Sequence, residues 1–403
     1  MFITSDYSKP EKGSNIYTDL AEALKNNNHD IKVVVTEEKK KIDQTTLFTE
    51  NNIPVLRVKT GNLYEVSFVE KALTFLTLSR SLKKGIEKFF DNEKFDLVLF
   101  QSPPLTMCSV VKWAMKKYKC PSYLMMKDIF PQNGVDIGLY SKKSPIYKYF
   151  RYREKGLYKI SSKIGCMSEG NINYLLEHNK FLDKDKLEIF PNTVKITNQS
   201  KVSKTKRKKI RAKYGLNEDD VVAIYGGNFG RPQGLDFLLD VLRAYKNKKN
   251  VKFILIGRGT EKAKIFNEVN NNGYKNVLTY DFMPRDDYEA LTRVCDIGLI
   301  FLDKRFTIPN YPSKTLSYFE CSLPIMAAID KNTDYSKLLE DVNCGFWVEN
   351  GDIKSFKNKF NQLLKDKKLR STMGDNGHQH LVNEWNVEKS VKIIERYLGE
   401  KNV

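Results

Sequence analysis

The sequence has no apolar run long enough to cross a bilayer, no paired cysteine motif and few histidines. Its longest apolar runs, such as 221–225 and 253–256, are strand-sized and fall far short of the roughly 20 residues that a membrane helix needs. The six cysteines are scattered without a C-x-x-C pair, and the four histidines are dispersed. We therefore expect buried free thiols rather than disulfides, and we predict no metal site.

The first residues, MFITSDYSKPEKG, also lack a signal peptide's basic n-region and apolar h-region. They resemble the start of a strand, and we expect the protein to stay on the cytoplasmic side.

The net charge of +19 arises from 68 Lys and Arg against 49 Asp and Glu. Such a chain favours an anionic partner, which could be nucleic acid, acidic lipid or a phosphorylated substrate, although a lysine-rich surface can also serve solvation alone. The most basic run, KTKRKKIRAK (204–213), comes with no nucleic-acid-binding motif. It is typical of a solvated linker or an exposed first helix, and we predict no nucleic-acid partner.

The order of the predicted elements indicates an α/β protein. Short apolar strands alternate with amphipathic helices along both halves of the 403 residues, which is typical of mostly parallel sheets. The length suits two domains. We place an N-terminal Rossmann-like domain at 1–195 and a C-terminal one at 215–380, and we expect a last helix at 381–403 to cross back to the first domain.

The segment YGGNFGRPQGLDFLL (225–239) reads as a strand, a glycine turn and an amphipathic helix. Glycines let a ligand approach the backbone, and a helix N-terminus attracts phosphate; a purely structural tight turn uses glycines as well. Dinucleotide binding would require an acid at the end of the next strand. That strand ends as ILIGRGTEK, without a carboxylate. Arg258 could meet a 2′-phosphate, which leaves the dinucleotide interpretation weakly open.

Two further segments point to an anion. The first half has its own glycine loop, KPEKGSNIYTDL (9–20), and two such turns suggest a ligand held between two domains. In NYPSKTLSYF (310–319), Pro312 precedes a helix that Ser313 can cap. Lys314 would stand in the first turn, where it opposes the helix dipole. A bound anion would explain this placement, and a solvated lysine is the alternative.

Several motifs, each loose alone, follow one another in a specific order. They are DIFPQNGVDIG (128–138), GCMSEGNINYLLEHN (165–179), IFPNTV (189–194), GGNFGRPQGLDFLL (226–239), LIGRGTEK (255–262), DFMPRDDYEALTRVCDIGLIFL (281–302) and PSKTLSYFECSLPI (312–325). Through them, nearly the whole chain resembles a retaining glycosyltransferase of family 4, of the bacterial surface or capsular polysaccharide type similar to N-acetyl-fucosamine transferases. The resemblance implies the GT-B fold, with two doubly wound Rossmann-like domains facing a central cleft.

The resemblance also implies roles for individual residues. The catalytic residues would be Asp128, Lys314 and Arg231. The donor-binding residues would be Gly13, Ser14, Gly226, Gly227, Asn228, Gln233, Arg258, Phe282, Met283, Ser313, Ser317 and Glu320. Lys314 and Arg231 would neutralise the diphosphate, Arg258 would sit by the base, and Asp128 would lie near the reacting carbon. The donor would be a UDP-sugar, and no metal or other cofactor is required.

The chain departs from the family pattern where a Glu-x7-Glu pair is usual. The two positions fall on Pro309 and Ser317, and Glu320 lies one helical turn beyond the second. The usual Arg and Lys of the phosphate site fall on Gly227 and Gln233. The Pro-Ser-Lys sequence is therefore expected to shift the cationic role to Lys314.

The expected reaction moves an N-acetylhexosamine, with N-acetyl-fucosamine as the specific candidate, to a lipid-linked saccharide in capsule or surface polysaccharide synthesis. Residues 139–163 interleave Lys and Arg with Tyr and Phe, which suits an anionic bilayer surface; residues 67–90 could join it or form an ordinary core helix. A polyprenyl-diphosphate carrier would explain both segments, with peripheral association at the inner face of the cell membrane. A GT-B epimerase acting on a nucleotide sugar is the alternative, but it would need carboxylates and histidines.

Overall fold

The structure, a computed structural model, describes residues 1–63, 66–197 and 202–401. It divides into two compact units, which are described separately. Unit 1 comprises Met1–Val135, Tyr140–Lys195 and Asn386–Val403. Unit 2 comprises Asp136–Leu139 and Ile196–Trp385.

Unit 1 is built on an eight-stranded sheet. Its strands are β1 (Phe2–Thr4), β2 (Val33–Glu38), β3 (Thr46–Glu50), β4 (Ile53–Thr60), β5 (Val98–Ser102), β6 (Ser122–Met126), β7 (Lys163–Cys166) and β8 (Leu187–Ile189). Its first helices are α1 (Ile16–Asn26), α2 (Phe68–Phe90), α3 (Cys108–Tyr118), α4 (Gln132–Asp136), α5 (Pro145–Ile160) and α6 (Glu169–His178). The strand order is β3-β4-β2-β1-β5-β6-β7-β8, and only the β3–β4 pair is antiparallel.

Unit 2 contains a six-stranded parallel sheet in the order β11-β10-β9-β12-β13-β14. Its strands are β9 (Val221–Asn228), β10 (Val251–Arg258), β11 (Val277–Tyr280), β12 (Ile297–Phe301), β13 (Ile325–Ile329) and β14 (Gly345–Glu349). Its helices are α7 (Lys204–Lys213), α8 (Asp236–Tyr245), α9 (Lys262–Asn271), α10 (Arg285–Thr292), α11 (Lys314–Glu320), α12 (Tyr335–Asp341), α13 (Ile353–Lys365) and α14 (Lys367–Glu384).

The last helix, α15 (Val387–Lys401), packs in unit 1. Its apolar residues recur at helical spacing, and Val387, Val391 and Ile394 join the same buried cluster as Phe2 and Val33. The core of unit 1 therefore combines the first strand of the chain with its last helix.

Both sheets reverse their direction of growth at one strand pair. In unit 1 the reversal lies between β1 and β5, and in unit 2 between β9 and β12. Ligands of doubly wound sheets bind outside the carboxyl ends of the strands at this switch point. We therefore expect a ligand to bind near the residues that follow β1 and β5 or those that follow β9 and β12.

Candidate functional site

The end of β9 in unit 2 carries no side chain at two successive positions, Gly226 and Gly227. Gly227 has φ 132° and lies opposite Gly257, with φ 147°, on β10. A Cβ on Gly257 would lie only 1.8 Å from the carbonyl oxygen of Gly227. Glycine is therefore required where the strands meet, and it leaves the exposed backbone of Gly227 open to a ligand. The predicted glycine turn follows the end of β9 at Asn228, where Gly230 and Gly234 flank a short 3-10 turn that leads into α8.

Lys314 approaches this glycine from α11. A Cβ placed on Gly227 would lie 2.0 Å from Lys314 Nζ, so the ammonium group rests against the bare backbone. Nζ also lies 4.9 Å from the centroid of the Tyr225 ring. Burial alone lowers the pKa of Lys314 to about 8, and no carboxylate among the described residues forms an ion pair with it. A half-buried, unneutralised cation beside open backbone is suited to an anionic ligand.

A layer of tyrosines holds the glycine strand from behind. A Cβ on Gly226 would lie 2.4 Å from Tyr288 Oη, and Gly226 N donates to Tyr318 Oη at 3.4 Å. The side chain of Ser317 hydrogen-bonds to Tyr288. Ser317, a predicted donor-binding residue, therefore supports the tyrosine that packs against Gly226.

Arg258 and Phe282 come together beside the same strand ends. The Arg258 guanidinium lies 5.2 Å from the centroid of the Phe282 ring, which is 65% exposed. The neighbouring Met283 contacts Tyr214, whose Oη lies 4.0 Å from the Met283 sulfur. An exposed ring beside a guanidinium is a surface on which a planar heterocycle can stack.

The loop after β9 contains three further predicted residues. Asn228 is exposed, and its amide lies over the glycines of the loop, because a Cβ on Gly259 would meet its Oδ1 at 2.7 Å. Arg231 and Gln233 form a short 3-10 turn that separates β9 from α8. Arg231 is exposed and lies 3.8 Å from Glu261, so it is already paired with a carboxylate, in contrast to Lys314.

Two sequence interpretations fail at α11. Ser313 stands at the N-cap position, but its side chain makes no capping hydrogen bond because its backbone is already helical. Glu320 does not lie on the same edge of the sheet as Lys314. A helix after a parallel strand runs back along the sheet, so α11 starts at the carboxyl ends of the strands and ends at their amino ends.

The partners of Glu320 agree with that position. Thr197 Oγ1 donates to Glu320 at 2.7 Å, and Arg293 lies 3.5 Å away. Glu320 lines a cavity of about 640 Å³ together with Asp296 and Pro324, which precede β12 and β13. We therefore no longer assign Glu320 to donor binding.

In unit 1, Asp128 lies two residues after the end of β6. Burial raises its pKa to about 6, while Asn133 Nδ2 donates to it at 3.1 Å. Sequence reasoning overlooked the preceding residue, Lys127, whose burial lowers its pKa to about 7. Its ammonium lies 5.2 Å from the Phe190 ring centroid. The available signal was a lysine at the end of the strand-sized apolar run SYLMM (122–126).

Gly13 and Ser14 line a different, small cavity. It measures about 170 Å³ and is shared with Glu22 and Glu50, which pair with Lys195 and Arg57 respectively. Asn15 caps α1 by accepting hydrogen bonds from the amides of Tyr17 and Thr18. These amides are therefore already satisfied, and this helix start offers little to a phosphate.

The two halves of the chain match two family models. Residues 13–198 match Glycosyltransferase Family 4, and residues 206–380 match Glycosyl transferases group 1. The probable glycosyltransferase WbjE of Pseudomonas aeruginosa is 22% identical over 260 residues, which are 62% of this chain and 59% of WbjE. The N-acetyl-alpha-D-glucosaminyl L-malate synthase of Bacillus anthracis is 20% identical over 188 residues, 47% of each chain. The chain thus spans only about half of these relatives' length.

Among solved structures, Anabaena HepE in complex with UDP and glucose superposes with a TM-score of 0.71 at 16% identity. The match covers 99% of both chains. Together with the two doubly wound units, this likeness shows that the fold is GT-B, as the sequence predicted.

Proposed function

We propose a specific reaction for this chain, which belongs to the glycosyltransferases. It transfers an N-acetylhexosamine from a UDP-sugar to a saccharide carried on a polyprenyl diphosphate, with retention at the anomeric carbon. The product would enter capsule or surface polysaccharide. UDP is supported by its presence in the HepE complex, and the N-acetylhexosamine by the name of the B. anthracis relative.

The observation that carries the proposal is the unneutralised ammonium of Lys314 against Gly227. The bond between the anomeric carbon and the diphosphate oxygen breaks while negative charge develops on the departing diphosphate. A fixed cation stabilises that charge without reorganising. The acceptor hydroxyl oxygen bonds to the anomeric carbon, and its proton passes to an oxygen of the departing diphosphate.

Other residues would share the donor and the reacting sugar. Phe282 and Arg258 would hold the uracil by stacking, since their contact leaves the aromatic ring open to solvent. Arg231 would support the diphosphate only after exchanging its contact with Glu261. Asp128 would act as the carboxylate on the acceptor side. Because a lysine supplies the positive charge, we propose that no metal ion is required.

Peripheral association with an anionic membrane is part of the proposal. On α2, Leu73 and Leu76 are exposed, and on α5 so are Tyr149 and Tyr152. The two helices meet where the Phe75 and Phe150 rings contact edge to face at 6.3 Å. The exposed lysines of α5, at 148 and 155, accompany these apolar side chains. Apolar residues flanked by lysines are typical of helices that lie on a bilayer surface. In the described residues, no helix is both long and apolar enough to span a bilayer.

Donor hydrolysis and thermal shift with UDP-N-acetylhexosamines, UDP-hexoses and GDP-sugars test the donor. We expect stabilisation and slow hydrolysis with a UDP-N-acetylhexosamine, retained in the presence of EDTA. Turnover that is limited to GDP-sugars, or lost with EDTA, would contradict the proposal. A product analysis that finds an isomerised donor instead of a transferred sugar would favour an epimerase.

Flotation with phosphatidylglycerol vesicles tests the membrane component. The wild type should float with these vesicles, and Leu73→Gln/Leu76→Gln should float less. Leu47→Gln, which changes an exposed leucine on the edge strand β3, is the matched control. Equal flotation of all three proteins, or none with the wild type, would rule out this surface.

A further inference from the structure

Unit 1 contains a cavity that the assigned residues do not use. It measures about 380 Å³ and opens at the carboxyl ends of β1, β2, β4 and β5. Its wall includes Asp6 after β1 and Pro103 after β5. These two strands form the switch point of the unit 1 sheet, which is the usual position of a ligand in a doubly wound fold.

Four of the eight charged side chains in the wall are neutralised in ion pairs. Arg57 is buried and binds Glu50 at 2.7 Å and Glu37 at 3.1 Å. Lys41 lies 3.1 Å from Glu38. These pairs hold the neighbouring strands β2, β3 and β4 together, and they leave little net charge.

Three lysines in the wall differ from these pairs. Lys9 and Lys12 come from the loop after β1, and Lys71 comes from the first turn of α2. Among the described residues, none of the three forms an ion pair with a carboxylate. Among the carboxylates of the wall, Asp6 alone forms no ion pair with any residue that the structure describes. The cavity therefore has an excess of positive charge from two separate segments, which suits a multiply charged anion.

One face of α2 adds an apolar wall beside the lysines. Phe75 lines the cavity one helical turn after Lys71, so both side chains lie on the same face of the helix. Leu73 and Leu76 point away from that face and are exposed. The same helix thus borders the cavity on one side and carries the apolar surface on the other.

We propose that this cavity binds the phosphate-bearing end of the acceptor, with Lys9, Lys12 and Lys71 contacting the phosphate oxygens. Phe75 packs against the adjoining sugar or isoprenoid unit, and Asp6 accepts hydrogen bonds from sugar hydroxyls. This assignment rests on the proposed transfer to a diphosphate-linked saccharide. A carrier whose lipid enters the bilayer beside Leu73 and Leu76 would reach the cavity along α2. The phosphate could instead come from a membrane headgroup or the donor, and the experiment separates these sources.

The test measures binding of farnesyl diphosphate by calorimetry to the full chain. We expect Lys9→Ala/Lys12→Ala/Lys71→Ala to weaken binding about a hundredfold or more, because each charge-assisted hydrogen bond contributes roughly tenfold. The control Lys25→Ala/Lys94→Ala/Lys180→Ala removes the same charge from exposed positions of unit 1 and should bind as the wild type does. Farnesol should bind neither variant measurably, and inorganic pyrophosphate should compete with the probe.

Two parallel measurements identify the source of the phosphate. UDP affinity and flotation with phosphatidylglycerol vesicles should match between the two triple variants. Equal losses of farnesyl diphosphate binding in both would overturn the cavity assignment, as would an unchanged affinity in the first. If only the variant of Lys9, Lys12 and Lys71 loses flotation, the lysines bind a lipid headgroup. If only that variant loses UDP affinity, the lysines bind the donor. Absent hydrolysis of every nucleotide sugar by the wild type would instead refute the proposed function, whatever the probe binding.

Discussion

The glycine-containing segment that follows β1 and the one that ends β9 look alike in sequence and differ in the structure. In the first, the Asn15 side chain already accepts hydrogen bonds from the amides at the start of α1, and the Asn15 backbone N–H donates to Thr18 Oγ1. In the second, Gly227 lies bare at a strand end with an unneutralised lysine against it. We therefore expect a glycine-containing segment to bind an anion only where a neighbouring cation is left without a carboxylate.

Removing the cation should produce the largest difference between the two segments. We expect Lys314→Ala to lower kcat by about a hundred- to a thousandfold, the range seen when one preorganised charge-stabilising group is lost. Steady-state transfer or donor hydrolysis measures it. Lys249→Ala, an exposed lysine of unit 2, should leave the rate unchanged. Unaltered turnover of Lys314→Ala would exclude its role.

Replacing Gly227 tests whether this position must lack a side chain for ligand binding or only for its backbone conformation. Gly227→Ala adds a Cβ that collides with Lys314 Nζ, and we expect kcat/KM for the donor to fall at least about tenfold. Gly273→Ala is the matched control, because Gly273 also has a positive φ, 59°, with open space around it. It should cost about 1 kcal/mol of stability without loss of activity. Similar activity losses in both variants would assign the effect to backbone strain.

The pH dependence sharpens the assignment to Lys314. Its pKa of about 8 predicts that kcat/KM for the donor falls about tenfold between pH 7 and 9, as the ammonium loses its proton. Stability should change in the opposite direction. Burial lowers the pKa of Lys314 below its ordinary 10.5, so the unfolded chain holds this proton more tightly than the folded chain does. The cost of burying the ammonium is therefore relieved above pH 8, and the free energy of unfolding rises there. A donor kcat/KM that stays flat to pH 9 would argue against a required ammonium.

The smallest effect is expected in the capped segment. Asn15→Ala removes the capping box of α1 and should lower the free energy of unfolding by about 1 kcal/mol. Donor hydrolysis should stay within about twofold of wild type, since these amides bind the chain itself. Thermal unfolding and donor kinetics on the same preparation provide the comparison. A loss of donor binding without a change in Tm would give the first segment the role we assign to the second.

The alternation of strands and helices was sufficient to predict two doubly wound sheets, but it missed β3. That strand is largely exposed and pairs antiparallel with β4 through Asn51 and Asn52, which have φ of 48° and 62°. An Asn-Asn pair with positive φ is typical of a tight hairpin turn, so the signal was present. The strand was missed because its residues, TLFTE, form no buried apolar run of the kind that predicts a strand.

The site was only partly predictable. Lys314 was singled out from its place in a helix, yet its contact with Gly227 joins residues far apart in sequence and depends on how β9 and β12 neighbour each other. The prediction for Glu320 was wrong because helical spacing identifies the face of α11 on which a residue lies. It does not tell whether that residue lies near the carboxyl or the amino ends of the strands. The three lysines of the unit 1 cavity could not be predicted from the sequence, because only the structure shows which of the lysines there form ion pairs with carboxylates.

The position of α15 has a consequence for the order in which the protein is made. Val387, Val391, Ile394 and Tyr397 belong to the core that contains Phe2. During synthesis, strand β1 leaves the ribosome well before α15, so this core can close only after α15 has emerged. Unit 2, almost entirely continuous from Ile196 to Trp385, can finish earlier. The half of the protein translated second is therefore expected to fold first, reversing the usual order for multidomain chains.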